Sequence, residues 1–373
     1  MATEYRKATA AEYEDLIDFA NMVFKTDFAA LLPKLYFGHP EMAVHHYLAL
    51  EDGKIRAAVG SFPLEFEMGG VKVRARGIGT VSVHPYSRGM GYMKELMNRA
   101  VADAKAEGTD LMCLGGQRQR YEYFGFSKAC QQRSFTVTPT NRRHCRGISS
   151  DSVVLVPLAE HPEYEKLCWE LHRNQPVHAV RPLENFTEIC CSWSCQPWVI
   201  LQDGNFAGYA VMKKDGTSIP ELLLKEKAEV LPVVFALVQK AGCDVKFSPA
   251  FWQKTVISAL SEVAESSAVQ GGEMFQILNF PKMIEILLNQ KAAQTGLPDG
   301  TRILGIEGGN RYQIAVSGQK AVVTETQEAA DWTLDAVSMQ SRLINAGNLW
   351  QYDTFVENCW FPLPLELPAQ DMV

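Results

Sequence analysis

No run of apolar residues in this 373-residue sequence approaches the roughly 18 needed to cross a membrane. The opening residues, Met1-Ala2-Thr3-Glu4-Tyr5-Arg6, lack the apolar stretch of a secretory leader. A cytoplasmic protein is expected, with no membrane partner. Basic residues are in deficit, 36 Lys+Arg against 43 Asp+Glu for a net charge of −7, which argues against a general electrostatic grip on nucleic acid or anionic lipid. Usefully spaced cysteines are also missing. The nine are an odd number, only Cys190, Cys191 and Cys195 lie close together, and no Cys-x-x-Cys pair or neighbouring histidine completes a metal site. They read as thiols of a reducing compartment, and no metal is expected. With 47% hydrophobic and 21% charged residues there is no low-complexity or disordered character, and the length predicts two or three units with sizeable cores.

What is present alternates between strand and helix patterns. Apolar spacing predicts a helix over Asp15 to Phe24, resuming at Phe28, Leu31 and Leu32 before Pro33. Tyr47 to Leu50, the Asp52-Gly53 turn and Ile55 to Val59 predict a hairpin, and a second hairpin turns at Gly69-Gly70. Its return strand runs through Gly77 and Gly79 to Val83, where His84-Pro85 ends it. Tyr92, Met93, Leu96, Met97, Ala100, Val101 and Ala104 share one helical face between Gly91 and Glu107, and Gly108 stops the helix before a short buried strand, Leu111 to Leu114.

Further on, Val199 to Phe206 repeats the pattern of Leu48 to Ile55, and a helix through Val230 to Val238 and a strand at Asp244 to Phe247 follow. A chance likeness between two Asp-Gly hairpins is the alternative, since that turn is a common hairpin signal. From Met274 the strands and helices suggest a compact α+β unit, ending in a tail, Phe361 to Pro368, whose three prolines enforce an extended path.

The segment Val81-Ser82-Val83-His84-Pro85-Tyr86-Ser87-Arg88-Gly89-Met90-Gly91-Tyr92-Met93 carries the chemistry. A strand enters a loop with one arginine and two glycines, and a helix starts at once. Glycines admit a ligand close to the backbone, the first helical turn offers unpaired N–H groups, and the helix dipole favours an anion. The Gly-Lys-Ser/Thr ending of a nucleoside-triphosphate loop is absent, and several antiparallel strands precede it, unlike a dinucleotide fingerprint. A pyrophosphate belonging to another carrier is indicated.

This stretch resembles motif A of the GCN5-related N-acetyltransferases, Arg/Gln-x-x-Gly-x-Gly/Ala, with Arg88 and Gly91 matching and Met93 departing from the final Gly/Ala. Tyr121-Glu122-Tyr123-Phe124-Gly125-Phe126 resembles the family's aromatic-Gly-Phe motif. The whole chain resembles the Eis-like subgroup. That likeness implies a mixed α/β (α+β) chain: an acetyltransferase domain over 1–143, a degenerate second such domain over 144–270, and a sterol-carrier-like α+β domain with an extended tail over 271–373.

The resemblance implies acetyl-CoA as co-substrate, held by Val81, Ser82, Val83, Arg88, Gly89, Met90, Gly91, Tyr92, Met93 and Gly116. It implies Tyr121 as general acid, a phenol still protonated at neutral pH. For the base it points to the chain's own terminal carboxylate, here that of Val373, with Glu366, Asp371 or water as alternatives. Phe24 and Asp27 are expected at the acceptor. Taken singly, Tyr121 reads as core packing, Arg88 as a solvated side chain, Gly89 and Gly91 as a turn, and His84 as structural. The expected activity is acetyl transfer to a primary amine of a small cationic molecule (aminoglycoside, polyamine or lysine-like), and the resemblance implies a homo-oligomer, with a hexamer among the options. The competing readings are an apolar-ligand carrier and a CoA sensor without turnover.

Overall fold

The computed structural model describes residues 3–129, 132–145, 147–270 and 272–373. Its first sheet begins with β1 (Glu4–Lys7), β2 (His46–Glu51), β3 (Lys54–Met68) and β4 (Val71–Val83), antiparallel neighbours in that order. The β2–β3 turn places Asp52 and Gly53 at φ 51° and 73°, the left-handed pair that suits a two-residue hairpin. Between β1 and β2 lie α1 (Tyr13–Phe24), α2 (Phe28–Leu31) and α3 (Pro33–Tyr36). After β4 comes α4 (Tyr92–Ala106), which crosses back so that β5 (Leu111–Leu114) pairs parallel to β4. Tyr92, Leu96, Met97, Ala100 and Ala104 form the buried stripe of α4, against Ile78, Met112 and Leu114 of the sheet.

Beyond β5 the strands are exchanged between units. Met274–Ile277 enters the first sheet between β5 and Ser127–Lys128, whereas Gln132–Val137 pairs with Val245–Phe247 and Ser266–Gln270 of the second unit. The divisions expected at 143/144 and 270/271 are therefore crossed by strand pairing. The reason is legible in the burial: all four residues Met274 to Ile277 are buried, as a central strand covered on both faces requires.

The echo at Asp203-Gly204 is a second hairpin, Cys195–Gln202 with Asn205–Lys213, and its turn has φ 51° and 77°. Both hairpins also slip register close to the turn, at Ala49/Leu50 and at Ile200/Leu201. A buried helix, Val230–Ala241, and the strand Val245–Phe247 follow, but no glycine loop precedes that helix. The last unit has a four-stranded sheet, Lys320–Thr326, Arg311–Ser317, Gly300–Ile306 and Trp332–Leu334. Its helix Phe280–Thr295 shares one core with the first sheet through Phe66, Val73 and Cys113.

The tail is extended as expected, yet it is no loose end. Phe361, Leu363 and Leu365 are fully buried in that shared core, and the chain continues across the molecule until Val373 packs with Phe28, Leu32, Tyr36 and Phe62 of the first unit.

Candidate active site

The site forms where β4 and β5 part. Their pairing stops at Ile78↔Leu114, while β4 runs on to Val83, so among the described residues the edge of β4 away from β3 has no strand beside it over Val81 to Val83. Two features turn that edge outward. The β3–β4 register slips between Ala58 and Gly60, and Thr80 takes a left-handed φ of 52°, a β-bulge that re-aims the strand. Thr80 is fixed in this unusual conformation by a buried hydroxyl contact with Tyr36, whose own hydroxyl lies 2.9 Å from His46 Nε2. Burial pushes the His46 imidazole down to about 4, so it stays neutral and serves the network as a polar partner.

From the bulge the chain enters the glycine loop. Gly89 and Gly91 have φ of 83° and 81°, and nothing lies within 4 Å of where their side chains would project. The first turn of α4 thus presents its N–H groups to open space. A cavity of about 810 Å³ spreads from it, lined by Val81, Ser82, Val83, Arg88, Gly89, Gly91, Tyr92 and Met93 of the expected co-substrate set, by Phe24, which was expected at the acceptor, and also by Arg120, Tyr123 and Phe124. Its shape and donors fit a long ligand with a pyrophosphate: backbone N–H groups and Arg88 at one end, an open strand edge at the other. Tyr92 is anchored by its hydroxyl to Glu51.

The sheet separates this cavity from a second face. The pleat sends Ile78 toward α4 and leaves Gly77 and Gly79 on the other side. There Val373 fills the space that side chains would take. A Cβ on Gly77 would lie 2.5 Å from Val373 Cγ2, and one on Gly79 would lie 3.0 Å from the Val373 carboxyl carbon. The terminal residues are held by polar contacts reaching across the sequence. Lys34 Nζ donates to the carbonyls of Gln370 and Met372 at 2.5 and 2.7 Å, and Trp193 Nε1 donates to that of Met372 at 3.1 Å. Gln370 Nε2 donates to the carbonyls of Cys190 and Ser192, each at 3.1 Å. Asp371 accepts two hydrogen bonds from Arg181, at 2.9 and 2.7 Å, and Arg181 also donates to Glu221 at 3.1 and 2.7 Å. Burial alone would raise both carboxyls, but the guanidinium holds each below its ordinary range. Lys34, Arg181 and Trp193 were not legible as site residues, because their partners lie up to 338 positions away.

Tyr121 ends the short helix Arg118–Tyr121. Its ring sits on Gly116, where a Cβ would lie 2.3 Å away, so that glycine makes room for the tyrosine, and neither of the two is part of the cavity lining, which holds Arg120, Tyr123 and Phe124 beside them in sequence. Burial raises the phenol above its ordinary pKa, outweighing the nearby Arg120, and the proton is retained. Three further expectations are corrected by position. Met90 is exposed outside the cavity lining. Asp27 is the N-cap of α2, accepting from the Ala30 N–H at 3.1 Å, and is also absent from that lining. Of the alternative bases, Asp371 is bound by Arg181, and Glu366 lies in a separate pocket among Trp252, Gln253 and Ala250.

Burial pushes the Glu366 carboxyl up to about 8, so it is protonated in the fold at neutral pH. Its contribution to stability is fully present below the unfolded value near 4.5 and is lost as pH rises through about 8. Glu366→Gln is accordingly expected to raise the melting temperature more at pH 8 than at pH 5, on the order of 3 kcal/mol of relative stability, read from thermal unfolding at the two pH values.

Residues 4–129 match the family model of the acetyltransferase (GNAT) domain. This match places the chain among the acyltransferase enzymes, with acetyl-CoA as the domain's co-substrate. No curated protein matches the sequence. Among solved structures, the chain resembles a conserved protein of unknown function from Enterococcus faecalis, a probable N-acyltransferase, at TM-score 0.69 and 17% identity, covering 100% of this chain and 97% of that one. It resembles a GCN5-related N-acetyltransferase from Anabaena variabilis at TM-score 0.66 and 16% identity, covering 98% of each. It also resembles Eis1 from Mycobacterium abscessus at TM-score 0.64 and 17% identity, covering 97% of each. At such identities the likeness establishes the fold, and it extends over 97% or more of this chain.

Proposed function

We propose that the protein transfers the acetyl group of acetyl-CoA directly to a primary amine of a small cationic acceptor. The observation that carries this reading is the free edge of β4, with the α4 loop and its cavity on one side of the strand and the Val373 carboxyl against Gly79 on the other; the buried Tyr121 phenol, which keeps its proton, supports it. Acetyl-CoA enters on the α4 side, with its pyrophosphate on the loop and Arg88 and its pantetheine along the free edge of β4. Backbone N–H groups of Val81 to Val83 polarise the thioester carbonyl and hold the developing oxyanion. The acceptor approaches from the opposite face. The Val373 carboxylate removes its proton, the nitrogen–carbon bond forms, the carbon–sulfur bond breaks, and the leaving thiolate takes the Tyr121 proton.

The Eis-like resemblance and the four-stranded sheet support reading the last unit as sterol-carrier-like, used here to bring the tail to the first unit. The direct test is release of CoA thiol from acetyl-CoA over a panel of polyamines, aminoglycosides, amino acids and basic peptides. Acceptor-dependent release with one class supports the reading. Binding of acetyl-CoA with no release for any amine would leave a CoA sensor in its place.

A further inference from the structure

The acceptor face holds a second carboxyl group with no assigned task. The Met274↔Leu114 register sets Glu273 beside Gly115, and the pleat directs both away from α4. Glu273 Oε2 comes to 3.0 Å from where a Cβ on Gly115 would lie. Glycine at 115 thus gives this carboxyl its place, as Gly77 and Gly79 do for Val373 on the same side of the sheet.

The group is largely withheld from water, and among the described residues it joins no ion pair. Burial is the sole influence on its pKa, and it acts upward. A buried carboxylate without a cation is costly, and a bound cation removes that cost. Val373 lies against Gly77 and Gly79 of β4, and Glu273 immediately precedes the strand two places along the same sheet, with β5 between them. The amine under attack belongs beside Val373, since it must lose its proton there.

We infer that Glu273 binds a second, permanently protonated nitrogen of the acceptor, so that the preferred acceptors are diamines and polyamines. This rests on the acetyl-transfer reading and specifies its substrate class. Glu273 acts on binding, and the reacting atoms are left to Tyr121 and Val373.

The test is calorimetric binding of putrescine and of n-butylamine to the full chain saturated with CoA, in wild type, Glu273→Gln and Glu273→Asp, with thiol release measured in parallel. Wild type is expected to prefer putrescine by about tenfold or more, the worth of one charge-assisted contact. Glu273→Gln is expected to lose that preference and to raise KM for putrescine by the same factor with kcat within about twofold, and Glu273→Asp to recover part of it. A preference that persists in Glu273→Gln, or that wild type never shows, overturns the inference. A binding preference lost in Glu273→Gln without thiol release from any amine keeps Glu273 as a diamine-binding group and sinks the acetyl-transfer reading on which its role at an acceptor rests, so the two failures are distinct.

Discussion

Tyr121→Phe is expected to lower kcat for amine acetylation by about two to four orders of magnitude while acetyl-CoA affinity stays within about twofold. The substitution removes one oxygen and keeps the ring that packs on Gly116 among the buried residues of the α4 core. What is lost is a phenol that burial keeps protonated, on a ring packed against Gly116 just past the end of β5. A role confined to packing predicts the opposite pattern, a modest fall in melting temperature with turnover preserved. Steady-state thiol release together with calorimetric titration of acetyl-CoA separates the two.

Arg181→Met is expected to destabilise the fold by about 3–5 kcal/mol, the cost of leaving buried charges without their partner. Arg181 is fully enclosed and joins Asp371 of the tail to Glu221 of the second unit, so its removal leaves two carboxylates facing each other out of water. Both have folded-state values below their ordinary ones. Their contribution is therefore present above the unfolded range of 3.8 to 4.5 and is lost as pH falls through the lower folded values. In wild type the clamp holds throughout the neutral range. Denaturant unfolding at pH 7 reads the loss, and limited proteolysis of the tail, normally protected by burial, reads its release.

The first unit was largely legible, because its signals are local. The Asp52-Gly53 turn, the helical stripe from Tyr92 to Ala104 and the paired glycines before it specify hairpin, helix and loop within a few residues of each other. The same holds for the second hairpin at Asp203-Gly204. Strand exchange was not legible. Gln132–Val137 and Met274–Ile277 carry ordinary strand patterns, and which sheet each joins is decided by burial against elements far away in sequence.

The tail illustrates the same limit. Its prolines correctly imply an extended path, but the Leu363 and Leu365 side chains that bury it, and the Arg181 and Lys34 groups that seize its end, find their partners only in the folded chain. Asp27 shows the converse error, an acid whose position near the acceptor helices suggested binding and whose carboxylate is spent on capping one.

The most direct measurement compares thiol release and acetyl-CoA binding between the full chain and a variant lacking Met372 and Val373. The Arg181–Asp371 clamp and the α4 loop are untouched by that deletion. Acetyl-CoA binding is expected to persist within about twofold while amine-dependent release falls by about 100-fold or more, the effect of losing a positioned base. Undiminished turnover in the shortened chain would contradict the claim that the tail completes the active site.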